Sequence, residues 1–90
     1  MNISEAGVEI TKRFFLALEV LSQDKKIRGL KTFSRKYDIN YWNLNTVKKE
    51  PYKRILKPEY IYYLVMDFGI SADWLIKGEG EIYASQISKT

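Results

Sequence analysis

The feature that most constrains this chain is the tripeptide Asp38-Ile39-Asn40, set between two short apolar stripes. Phe33 and Tyr37 stand four residues apart before it, and Leu44 and Val47 stand three apart after it. Both spacings place a pair of side chains on one face of an α-helix. Asp tolerates the left-handed backbone that ends a helix, and Asn is a favoured N-cap for the next one. The run from Thr32 to Val47 therefore predicts two short helices joined by a tight turn, with Ile39 as the apolar plug that sets the angle between them.

The flanking segments read as a scaffold for that pair. From Glu9 to Gln23, Ile10, Phe14, Ala17, Leu18 and Leu21 follow helical spacing, and Phe15, Leu16 and Val20 broaden the apolar face, as expected of a helix packed on more than one side. Residues 1–8 read as a lead-in, in which Ser4 is a possible cap. Residues 24–29 form a polar connection with Gly29 as the turn residue, and the helices of the central pair are expected over 30–37 and 40–49. Pro51 stops the third helix near Lys49, because it lacks a backbone donor and disfavours helix in the residue before it. Pro58 suits the first turn of a fourth helix reaching about Asp67, with Ile61, Leu64, Val65 and Phe68 inward and Gly69 closing it. Ser71 caps a short fifth helix over 72–77 that ends at Gly78. The expectation is an all-α, compact five-helix bundle: a lead-in at 1–8, one domain over 9–80 and a tail at 81–90 that is polar apart from Ile82 and Tyr83.

Composition narrows the chemistry. Ninety residues with 46% hydrophobic content support one small core. With no Cys and no His, a zinc site, a thiol nucleophile and His-based acid or base catalysis are excluded. No spaced carboxylate constellation and no Gly-rich phosphate loop is present, Gly78-Glu79-Gly80 being a helix terminus, so neither an enzyme nor a cofactor is expected. The opening Met-Asn-Ile-Ser-Glu carries no basic segment followed by a long apolar run, and the expectation is a cytoplasmic, nucleoid-associated protein.

Charge is segregated. Residues 25–57 hold eleven Lys or Arg against Asp38 and Glu50, nine net positive charges in a chain whose total is +4. A basic face of this kind attracts polyanions through the phosphate backbone, whatever their base sequence.

The central run resembles the helix-turn-helix of the lambda-repressor-like (Cro and Xre type) DNA-binding domains. A small residue in the first helix, a turn residue four later and an apolar residue six beyond that are Ser34, Asp38 and Leu44 here. Asp38 stands where the family usually has Gly, and Leu30 where many members carry a phosphate-gripping Gln. The stretch Ile70 to Gly80, with Trp74-Leu75 ahead of Gly78-Glu79-Gly80, is similar to the last helix of many phage-repressor-like domains, and the two matches span residues 12–80.

The resemblance implies a small transcriptional regulator, a repressor by preference, with the helix over 40–49 in the major groove of duplex DNA. Base-reading positions carried over from it are Tyr41, Trp42, Asn43, Asn45 and Thr46. Asn presents a donor and an acceptor that match adenine, and Thr suits a base edge or a thymine methyl. Tyr41 and Trp42 either enter the groove or fold back to cover the core, Trp42 against Tyr52. Phosphate contacts are expected from Arg28, Lys31, Thr32 and Arg35 around the second helix and from Lys48, Lys49, Lys53 and Arg54 after the third, the last two foremost.

One such domain reads a half-site, so a two-fold dimer is expected, through Tyr60, Tyr62, Tyr63, Ile82 and Tyr83. Those tyrosines alternatively broaden the core with their hydroxyls reaching water. The rival class is a protein-interaction or antitoxin-like adaptor on the same helical pair, although a protein-binding surface is usually less charged at its centre.

Overall fold

The structure is a computed structural model and describes residues 3–84. Those residues form five helices, α1 (Glu5–Gln23), α2 (Leu30–Lys36), α3 (Tyr41–Lys49), α4 (Pro58–Phe68) and α5 (Ala72–Lys77), and no strand beyond one isolated bridge. None of the helices is long and apolar enough to cross a membrane. The chain divides into two compact units, Met1–Leu56 and Lys57–Thr90.

In the first unit α1 begins four residues before the expected Glu9. Ser4 is the N-cap, its hydroxyl accepting the Gly7 backbone N–H at 3.1 Å, and Glu5 sits in the first turn, where negative charge suits the helix dipole. Residues 5–8 are therefore helix and not lead-in. Glycine is a poor helix former, by about 1 kcal/mol against Ala in a helix interior, and Gly7 in the first turn weakens the local signal. The cap offsets it. The Ile3 N–H also donates to the Tyr52 carbonyl at 2.9 Å, tying the start of the chain to the loop after α3.

The other end of α1 closes on Lys25, whose φ of 63° is left-handed. The Lys25 N–H donates to the Ser22 carbonyl and the Lys26 N–H to the Leu21 carbonyl, the paired bonds of a Schellman motif. α2 ends in the same way. Asp38 has φ 55°, its N–H donates to the Arg35 carbonyl, and the Ile39 N–H donates to the Ser34 carbonyl at 2.7 Å. The left-handed backbone anticipated for Asp38 is present. Asn40 then caps α3, its side chain accepting the Asn43 backbone N–H at 3.0 Å.

The core of this unit gathers Phe14, Leu21, Phe33 and Leu44, all essentially inaccessible, with Phe15, Ala17, Leu18, Ile27 and Val47 around them. Phe14 and Phe33 meet edge-on with ring centroids 5.6 Å apart, and Phe33 continues to Tyr37 at 5.0 Å. α3 packs on both α1 and α2. Burying such a side chain contributes roughly 1.5–3 kcal/mol, so the cluster holds α2 and α3 in place against the long helix.

In the second unit α4 starts at Pro58 and ends at Gly69, left-handed with φ 72°. Ser71 caps α5 by accepting the Trp74 N–H at 3.1 Å. Tyr60, Leu64, Ile70 and Leu75 are buried. Residues 81–84 are not a free tail: the Ser71 N–H donates to the Ile82 carbonyl at 2.8 Å, the Ala84 N–H donates to the Gly69 carbonyl at 2.7 Å, and Ile70 bridges Tyr83. Apolar Ile82 and Tyr83 drive this, since both are half-buried. The rest of the expected tail, 85–90, lies outside the described residues.

Candidate nucleic-acid interface

The anticipated base-reading residues all lie on α3, which has only one buried apolar stripe. Leu44 and Val47 fill it, and the remaining positions are pushed outward. Trp42, Asn43, Lys48 and Lys49 are exposed, while Tyr41, Asn45 and Thr46 are half-buried. Among the described residues neither the Asn43 nor the Asn45 side-chain amide has a hydrogen-bond partner. Each retains its donors and its acceptor for a ligand.

Thr46 differs. Its hydroxyl donates to the Trp42 carbonyl one turn back, at 2.8 Å. The donor expected for a base edge is already used within the helix, and the methyl group and the oxygen lone pairs remain.

The two aromatic alternatives separate. Trp42 is 71% exposed, its ring edge-on to Tyr41 with centroids 5.1 Å apart, so it does not cover the core. Tyr41 is half-buried and is joined from α2 by Lys31, whose Nζ lies 5.2 Å from the ring centroid. A cation over an aromatic face is attracted by the ring quadrupole. Tyr52 is itself half exposed, with the Lys53 ammonium 5.9 Å from its ring.

The cationic residues occupy two places. Arg28, Lys31 and Arg35 are exposed at and along α2, with Thr32 half-buried between them. Arg28, Thr32 and Arg35, but not Lys31, border an open trough of about 800 Å³ between the end of α1 and α2, lined also by Lys25, Lys26, Ser22 and Ile27 and by no carboxylate. Lys25 and Lys26 were not anticipated there. The left-handed turn at Lys25 brings them to the trough, and only their continuity with Arg28 in the basic block hinted at it. Beyond α3, Lys53 and Arg54 are exposed, but Arg54 Nε lies 3.2 Å from Glu50 Oε1, an i,i+4 ion pair that offsets its charge. Lys53 is the better placed of the two for a phosphate.

Of the expected dimer residues, Tyr60 is buried, Tyr63 is half-buried with its ring stacked 6.5 Å from that of Tyr60, and Tyr62 is 60% exposed. No group of His, Cys, Asp and Glu suited to a metal ion occurs among the described residues. No protein-family model, curated protein or solved structure matches the chain.

Proposed function

We propose that this chain binds double-stranded DNA sequence-specifically as a small prokaryotic or phage-type transcriptional regulator with a lambda-repressor-like arrangement, α3 entering the major groove. The observation that carries the reading is the outer face of α3. Two unpartnered amides, exposed Asn43 at the side of the buried Leu44–Val47 stripe and half-buried Asn45 away from it, are accompanied by exposed cations on α2 and beyond α3. An α-helix with its side chains is about 10–12 Å across, which suits a major groove about 12 Å wide.

In this reading Asn43 and Asn45 read base edges, and the Trp42 ring and the Thr46 methyl meet thymine methyl groups or sugars. Arg28, Lys31, Thr32, Arg35, Lys48, Lys49 and Lys53 hold phosphates, with Arg54 contributing less. Repression follows from occupying a promoter. A two-fold dimer through the exposed Tyr62 region of α4 doubles the half-site.

Selection of bound duplexes from a random pool, followed by a salt titration of the winner, tests the proposal. The expected result is one enriched site whose affinity falls steeply with salt. A pool that emerges unenriched, or binding indifferent to salt, defeats it.

A further inference from the structure

At the corner between α2 and α3 lies an open hollow of about 390 Å³, lined by Lys31, Arg35, Asp38, Ile39, Tyr41 and Trp42. Small-molecule sites span roughly 300–1,000 Å³, so it is large enough for one compact ligand group. Its wall is aromatic, Trp42 standing edge-on to Tyr41, and Lys31 lies over the Tyr41 ring. Its Ile39 lining is apolar. Arg35 also lines the cationic trough next to it, so the two depressions adjoin across α2.

We infer that this hollow receives one unpaired nucleobase of a single-stranded nucleic acid, stacked on Trp42, while the adjoining phosphates follow the trough past Arg35 and Arg28. Bases inside a duplex are already stacked on both faces, so an indole as exposed as that of Trp42 is matched by a base that has left the stack. A positive groove beside aromatic side chains is the combination by which single strands are held.

Asp38 adds a preference. Asp38 is exposed and borders the hollow, and its carboxylate, acceptor-only when ionised, has no ion-pair or hydrogen-bond partner among the described residues. Guanine presents two parallel N–H donors, N1–H and the N2 amino group, which match the two carboxylate oxygens. Thymine presents one. The site should therefore favour guanine. This inference does not depend on α3 entering a duplex: Asn43 and Asn45 do not line the hollow, so their variants report on the other reading alone.

The test is fluorescence anisotropy with two labelled ten-nucleotide strands, one all thymine and one with a single central guanine. The protein should bind the guanine strand more tightly, on the order of tenfold, as expected of a two-point hydrogen bond to a base edge. D38N keeps a residue that tolerates the left-handed backbone and should abolish that preference. W42A should weaken both strands by roughly fivefold or more, with W42F retaining most of the affinity, if stacking is the source. A guanine preference that survives D38N, or W42A binding both strands like the unaltered chain, overturns the inference. Displacement of the strand by an equal concentration of guanosine monophosphate also overturns it, in favour of a free-nucleotide site.

Discussion

The Asn40 side chain accepts the Asn43 backbone N–H at 3.0 Å, so one amide closes the first turn of α3 while the other, on Asn43 itself, stays exposed and without a partner. Two like residues three apart thus differ, one bound into the helix cap and the other open to a ligand. Replacing Asn40 by Ala should lower stability by about 1 kcal/mol, the usual loss for an N-cap, and Asp should restore it. The check is urea unfolding, in which the midpoint moves at constant slope. A midpoint indifferent to N40A would mean that α3 is held by packing alone.

The proposed base-reading residues of α3 separate by hydrogen-bonding capacity. N43A or N45A should cost about 1–3 kcal/mol at the preferred duplex and leave random DNA nearly unaffected. T46V should cost less than either, because the Thr46 hydroxyl already serves the Trp42 carbonyl. Competition binding on the two DNAs measures all three, and equal losses on both would remove the Asn residues from base reading.

Phosphate contacts are read from salt dependence. K53A should weaken every duplex alike and reduce the slope of log affinity against log salt by about one. R54A should reduce it by less, since Glu50 lies 3.2 Å from Arg54 Nε. E50Q, which frees that guanidinium, should tighten binding to all duplexes. An unaltered slope in K53A speaks against a phosphate role for Lys53.

Tyr60 gives the second unit an alkaline signature. Burial first, then the Glu59 carboxylate and then the neighbouring Tyr63, raise its phenol above the ordinary value of 10.0. The folded state therefore keeps a proton that the unfolded state releases. The resulting stability is complete below the unfolded value and is lost as pH rises through the higher folded one. Thermal unfolding followed from pH 9 upward should show a decline beginning about pH 10, and Y60F should flatten it. A Y60F curve parallel to that of the unaltered chain would assign the decline to other groups.

Much of the helical plan was legible because its signals act over a few residues. The Asn40 and Ser71 caps, the left-handed Asp38, Pro58 at the head of α4 and the glycines at 69 and 78 each impose a backbone state on their immediate neighbours. The end of α2 and the helices α3, α4 and α5 lie where such residues put them. The largest displacement, at the start of α1, arose where two local signals compete, since Gly7 argues against helix and Ser4 for it, and the other ends that moved did so by about one residue.

Exposure was not legible in that way. Trp42 looked equally suited to core and surface, and Ile82 and Tyr83 looked like loose apolar residues in a tail. Which side of each meets protein depends on partners further along the chain, such as the Gly69–Ser71 backbone that binds 82–84. The sequence by itself determined where helices begin and end and that positive charge surrounds the central pair, because capping, proline geometry and composition are local or additive. Only the tertiary structure decided that Trp42 stands free beside Tyr41, that Lys25 and Arg35 share a trough, and that Arg54 is engaged by Glu50. Burial, cavities and ion pairing are properties of neighbours in space, and a linear order does not contain them.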